Sequence, residues 1–257
     1  MPRLRPPSKE ESQLLPAYGE LADSAIYVPH TDAEFAQARA ALLAQTALGF
    51  DTESKPIFHV HQVDTGPHVV QLATPQAAWI LQLHHAQALE LAREVIAHPG
   101  ICKVGFGLDN DKSTLPKRLG VELANVVDLD RVFKQHGYGA STGVRAAVAL
   151  VLGQNFHKSK KQSTSNWSLQ QLSPAQIRYA ANDAHAPAQV YAALPRWQAA
   201  QPAVPTRSST ARKQSRPAAP QAHVPQPSRA PSSAARTNTR PVAYLLQRPA
   251  DRERDSD

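Results

Sequence analysis

Cysteine is almost missing from this chain: Cys102 is the only one in 257 residues. One thiol makes neither an internal disulfide nor, by itself, a zinc cage, so a disulfide-stapled scaffold is excluded and a reducing compartment, the cytoplasm, is expected. Long apolar runs are missing too. Nothing approaches the ~18 apolar residues a spanning helix needs, so no membrane partner is expected. No apolar segment follows the basic start Met1-Pro2-Arg3-Leu4-Arg5, so no secretory signal is expected either. Glycine is absent from residue 199 onward, where nine prolines stand among Ser, Thr, Ala, Arg and Gln. Such a segment buries too little apolar surface to offset its ordering entropy, and residues 199–257 read as a disordered tail. The tail holds ten Lys/Arg against four Asp/Glu, a net of +6, which leaves +1 of the formal +7 for residues 1–198. The basicity therefore belongs to the tail, which suits a polyanion and suits an unpartnered solvated arm as well.

What is present lies between residue 21 and residue 198, with residues 1–20 reading as a loose leading segment. The pattern there is α/β. Ile26-Tyr27-Val28 reads as a short strand. Thr31-Asp32-Ala33-Glu34 has capping-box spacing and opens a helix to about Gln45. Strands follow at 47–51, 68–73 and 78–83, then a helix over 85–98 closed by Pro99-Gly100. A strand at 101–105, a short helix at 109–119 and a strand at 126–129 complete the alternation. Helices at 142–152 and from Ser173 to about Leu194 come last. The second of these starts with a capping Ser, a Pro in the first turn and Gln176 at the third position. A mixed sheet with helices on its faces packs these elements.

Three acidic sites stand out. Asp51 and Glu53 are two apart in Phe50-Asp51-Thr52-Glu53, so they share one face of a strand end. Two carboxylates so placed repel unless a cation sits between them, and hard oxygen donors suit Mg²⁺ or Mn²⁺. A solvated turn is the plainer reading of that pair by itself. Tyr179 and Asp183 are four apart and share a helix face, where a phenol beside a carboxylate could orient water; a surface pair is the plainer reading. Asp109 and Asp111 follow the glycine-bearing strand end Lys103-Val104-Gly105-Phe106-Gly107 and open a helix, where they suit the helix dipole in any case.

Order, spacing and context together go further. Gly49-Phe50-Asp51-Thr52-Glu53, Val104-Gly105-Phe106-Gly107-Leu108-Asp109-Asn110-Asp111 and Tyr179-Ala180-Ala181-Asn182-Asp183 resemble, in sequence order, the three motifs of the DEDD exonuclease superfamily in its DEDDy branch. Val70-Gln71-Leu72-Ala73 and Val127-Asp128-Leu129 also match family strands. The likeness runs from about Ile26 to Leu194. Werner-like exonucleases are the nearest pattern, with a Gly-x-Gly-Ile-x-x-Asp second motif and a Ser-Asn-Trp like Ser165-Asn166-Trp167. RNase D proteins are similar, but usually differ in the second motif and carry helical RNA-binding domains after the exonuclease.

The resemblance implies an RNase H-like (DnaQ-like) fold and a metal-dependent 3′–5′ exonuclease releasing nucleoside 5′-monophosphates. It implies two divalent cations, Mg²⁺ or Mn²⁺, about 3.5–4 Å apart, held by Asp51, Glu53, Asp111 and Asp183. Asp51 would bridge both ions, Glu53 and Asp183 would complete the site that activates water, and Asp111 would hold the second ion. Tyr179 would orient the water, and Asp109 would be accessory. The expected substrate is a single-stranded or 3′-recessed nucleic acid, DNA before RNA. An RNase D-like exoribonuclease and a catalytically silent nucleic-acid-binding module are the alternatives. Lys158, Lys160 and Lys161 form a basic loop before Asn166 and Trp167, and these five are candidate nucleic-acid contacts, with a solvated loop as the plainer reading. Two features depart from the pattern. Pro187 removes the N–H that would bond the Asp183 carbonyl, so a kink is expected there. The aromatic residue common near the second motif is also absent.

Overall fold

The computed structural model describes residues 4–57, 61, 63–138 and 142–201. Six strands form one mixed sheet: β1 Ile26–Tyr27, β2 Ala47–Glu53, β3 Val69–Ala73, β4 Ala78–Gln82, β5 Cys102–Gly105 and β6 Val126–Asp128, in the spatial order β1-β4-β3-β2-β5-β6. β2, β3 and β4 are an antiparallel meander, while β5 and β6 join parallel to β2 and to one another. The helices are α1 Lys9–Gln13, α2 Asp32–Leu43, α3 Ala86–Ala97, α4 Asp109–Leu119, α5 Leu129–Gln135, α6 Val144–Leu152, α7 Lys160–Ser163 and α8 Pro174–Ala200. Among the described residues no helix is long and apolar enough to cross a membrane.

Strand alternation assigns the two faces. Leu48 and Phe50 of β2 and Val70 and Leu72 of β3 point into a core made with Phe35 and Leu42 of α2, Val95 and Ile96 of α3, and Leu115 and Leu119 of α4. Each such side chain, fully buried, stabilises the fold by about 1.5–3 kcal/mol. Val69 and Ala73 of β3 point the other way, onto Ala180, Ala181 and Ala184 of α8. Residues 49, 51 and 53 of β2 therefore also face α8, which is the side on which the site is built. A third cluster joins Val104 of β5, Phe133 of α5 and Val148 of α6 to Val190 and Trp197 of α8.

Several elements differ from their sequence reading. The leading segment is not loose over residues 4–20. Ser8 and Glu11 make a reciprocal capping box that starts α1, Leu4 N–H donates to the Gly137 carbonyl at 3.0 Å, and Asn155 N–H donates to the Pro16 carbonyl at 2.7 Å. Tyr18 is buried with its hydroxyl 2.7 Å from Nδ1 of His185 on α8. These pairings are long-range, so composition does not reveal them. α8 opens as its capping box requires and runs through Pro187 as read, but it continues through Pro195, six residues beyond Leu194. Burial of Val190, Leu194 and Trp197 in the third cluster holds that last stretch. α5 and α7 went unread: each is too short to show a period. The expected tail lies outside the described residues from 202 onward, as does His59.

Candidate active site

The site forms where the C-terminal end of β2 meets α8. Closeness there comes from small residues. Gly49 lies against the α8 backbone so tightly that a Cβ would stand 1.9 Å from the Ala184 carbonyl oxygen and 2.8 Å from Ala188 N. Ala180, Ala184 and Ala188, spaced by four, give α8 a flat face that permits this approach. Asp183, one residue before Ala184, is thereby brought to Asp51 and Glu53. Asp183 is 4 % exposed and Glu53 9 %.

Asp111 arrives from the opposite side, on the first turn of α4. It is buried and accepts a 2.6 Å hydrogen bond from Thr52 Oγ1, between the two β2 carboxylates. Asp109 turns outward, mostly exposed, and pairs with Arg131 at 2.5 Å. Of these two aspartates, Asp111 is the one that turns toward β2 and Asp109 the one that turns away. Its support is Asp128 at the end of β6, whose buried carboxylate accepts from Gly107 N–H at 3.1 Å, Leu108 N–H at 3.2 Å and Asp130 N–H at 3.1 Å. These bonds fix the turn that launches α4. Asp128→Ala leaves those donors unsatisfied at about 1–3 kcal/mol each. The expected result is a melting midpoint lowered by several degrees in differential scanning calorimetry; an unchanged midpoint would show that the turn holds without Asp128.

Tyr179 is buried over Trp167, with ring centroids 5.8 Å apart, and its hydroxyl lies against the Asp183 carboxylate. Trp167 is 1 % exposed, so it cannot serve as an open stacking platform for a base; it is a floor for Tyr179 instead. Gln176 fixes the segment before it, donating from Nε2 to Ser165 Oγ at 3.0 Å and to the Asn166 carbonyl at 3.1 Å. Asn166 is exposed, and its side chain accepts from Ser168 N–H at 3.1 Å and Ser168 Oγ–H at 2.7 Å. The basic loop also divides. Lys160 and Lys161 lie exposed on α7. Lys158 reaches into the site, with Nζ 2.9 Å from Asp183 Oδ2, 3.9 Å from Asp51 Oδ2 and 5.5 Å from the centre of the Tyr179 ring. Lys158, Asp128 and Thr52 are the contributors that spacing did not single out in these roles. Only a fold brings positions 52 and 111, or 158 and 183, together.

Electrostatically the cluster is under pressure. Burial, with the charges of Asp183 and Asp111 added, pushes Asp51 up to about 7 against the relief from Lys158. Burial and the charges of Asp51 and Asp183 push Glu53 up to about 9. Burial also raises Asp111 and Asp183. The Lys158 ammonium resists its own burial because Asp183 and Asp51 hold its proton, and its pKa is raised. Hard-oxygen donors that hold protons well above their usual range are what a divalent cation relieves. Among the described residues no three His, Cys, Asp or Glu side chains close into a ready cation cage. In this arrangement the cation between Asp51 and Asp183 is Lys158.

Comparison with known proteins places this geometry. A family model described as 3′–5′ exonuclease matches residues 26–196. A 3′–5′ exonuclease of Arabidopsis thaliana is 26 % identical over 149 residues, 57 % of this chain and 52 % of that protein. The mouse bifunctional 3′–5′ exonuclease/ATP-dependent helicase WRN is 29 % identical over 152 residues, 57 % of this chain and 11 % of its own length. The chain thus spans about half of one relative and about a tenth of the other. Among solved structures, the EXO domain of Aedes aegypti Nibbler aligns at a TM-score of 0.60 with 21 % identity, covering 70 % of this chain and 91 % of that one. Escherichia coli RNase D, an exoribonuclease involved in structured RNA processing, aligns at 0.57 with 19 % identity over 68 % and 45 %. The mixed sheet flanked by helices is the RNase H-like fold of these exonuclease domains.

Proposed function

We propose, for a chain that belongs to the 3′–5′ exonuclease family, that it removes nucleotides from nucleic-acid 3′ ends by hydrolysis at the cluster of Asp51, Glu53, Asp111 and Asp183. The observation that carries this reading is the convergence of four buried or half-buried carboxylates from β2, α4 and α8, two of them with strongly raised pKa values. Divalent metal dependence is general in the family, and the donor set suits Mg²⁺ or Mn²⁺. When bound, such ions stabilise charge at the phosphorus and at the leaving oxygen.

The chain's own residues supply the rest. Asp51 and Asp183 would hold the ions from adjacent elements, Asp111 would hold from the opposite side, and Glu53 would take a proton from the attacking water. The Tyr179 hydroxyl, held beside the Asp183 carboxylate and braced by Trp167, would orient that water. Lys160 and Lys161 on the exposed face of α7 suit the strand's phosphates. Trp167 is left out of the nucleic-acid contacts because it is buried. The product is a nucleoside 5′-monophosphate, and the setting is the cytoplasm.

DNA is the favoured substrate, as a single strand or a recessed 3′ end, because the Ser165-Asn166-Trp167 segment and the Gly105-Phe106-Gly107 turn follow the Werner-like pattern. An RNase D-like action on RNA is the second reading, since the RNase D fold aligns over two thirds of the chain. Single-stranded DNA and RNA of one sequence, 5′-labelled and 3′-labelled, are incubated with enzyme and Mn²⁺. A descending ladder from the 5′ label and immediate mononucleotide from the 3′ label are expected, faster on DNA. Faster RNA decay would select the second reading, and binding without release would replace both with a silent binding module.

A further inference from the structure

Lys158 does something that a phosphate-gripping loop residue would not. Its ammonium is inside the acid cluster, between carboxylates from two different elements, 2.9 Å from Asp183 and 3.9 Å from Asp51. Lys160 and Lys161, two and three residues on, are exposed on α7. The same ammonium lies 5.5 Å from the Tyr179 ring centre, so it touches β2 through Asp51 and two turns of α8 through Asp183 and Tyr179. Yet the side chain keeps 41 % of its surface in solvent, while that of Asp183 keeps 2 %. The cation enters the cluster from the solvent side on a flexible four-carbon stem, and leaving it requires no rearrangement of the core.

We propose that Lys158 is a tethered placeholder cation: it neutralises the Asp51–Asp183 pair while the site holds no metal, and it must swing out when a divalent ion binds there. This rests on the reading of the cluster as a metal site. Two physical points support it. Asp51 and Asp183 have no other Lys or Arg partner among the ion pairs of the described residues, so without Lys158 their repulsion across the β2–α8 contact is uncompensated. An ammonium at 2.9 Å from Asp183 Oδ2 also occupies the space a metal on that oxygen would need, and its charge opposes a second cation. Lys158 thus preassembles the site and competes for it.

The test uses the full chain, Mn²⁺ as the probe, and two readouts other than turnover. Lys158→Met keeps the stem and removes the charge. Its melting midpoint should fall by several degrees in EDTA and by clearly less in saturating Mn²⁺. Its Mn²⁺ affinity by calorimetry should tighten by roughly tenfold. Lys158→Arg keeps a cation and should retain most of the stability in EDTA, which separates charge from fold if Lys158→Met melts too low to measure without metal. Equal losses in EDTA and in Mn²⁺, or an Mn²⁺ affinity unchanged or weakened by Lys158→Met, would overturn the placeholder role while leaving the metal site intact. No Mn²⁺ binding by the wild-type protein would overturn the metal reading itself, and the placeholder with it.

Discussion

Gly49→Ala is expected to cost more stability than any other single methyl addition in the strand that carries the site. The added carbon would lie 1.9 Å from the Ala184 carbonyl oxygen, 2.8 Å from Ala188 N and 2.9 Å from the Ala188 Cβ. The first two are backbone atoms of α8, so no side chain can turn aside, and the helix must lift off β2. Overpacking of an ordinary core costs about 1–3 kcal/mol; a rigid clash with helix backbone should exceed that, on the order of 4 kcal/mol or more. The same lift separates Asp183 from Asp51, so protein that still folds should lose most of its metal affinity. Urea denaturation and Mn²⁺ calorimetry of the variant check both effects. A variant within about 1 kcal/mol of wild type, with normal Mn²⁺ binding, would mean that the close helix–strand approach is not what builds the site.

Asp51→Asn should produce opposite effects on activity and on metal-free stability. Asp51 is the carboxylate that faces both Asp183 and Asp111, and its loss removes the link between the two sides of the site, so activity should drop by roughly a thousandfold or more. Stability runs the other way. Asp51 at about 7 and Glu53 at about 9 both hold protons in the folded chain that the unfolded chain has released above about pH 4. The folded state binds more protons across that window, so metal-free stability falls as pH rises from about 4 to about 9, and levels off above it. Asp51→Asn removes one of the buried charges responsible. In EDTA at pH 8 its melting midpoint should rise by a few degrees, at about 2–4 °C per kcal/mol for a domain of this size. Saturating Mn²⁺ should reverse the order, since only the wild type gains from the ion. A variant less stable than wild type in EDTA would show that the cluster is not strained by its own charge.

Most of the frame was legible because its signals are local. The Thr31–Glu34 and Ser173–Gln176 boxes cap the helices they were expected to cap, and the alternation through β2 puts Asp51 and Glu53 together on the α8 face. Motif spacing named the residues that α8 and β2 bring together. What escaped was non-local or too short. Residues 4–20 have the composition of a loose segment, but Tyr18 finds His185 across 167 positions. Trp167 beside Asn166 read as a candidate nucleic-acid contact, and its burial under Tyr179 is a long-range feature that the letters do not carry. Lys158, Lys160 and Lys161 are equivalent in a string of letters; only the turn into α7 sends the first into the acid cluster and leaves the others in solvent. The last helix read as ending at about Leu194, since a local rule cannot weigh the burial of Trp197 three residues later.

The central claim is that the carboxylates gathered by β2, α4 and α8 form one metal-dependent centre that shortens nucleic acid from its 3′ end. The most direct test is a 5′-labelled single strand followed by gel, with wild type and Asp51→Asn, each in Mn²⁺, in Mg²⁺ and in EDTA. A stepwise ladder from the wild type in at least one metal, none in EDTA, and a thousandfold slower ladder from Asp51→Asn is the predicted result. Degradation that persists in EDTA, or that survives Asp51→Asn at the wild-type rate, would contradict it.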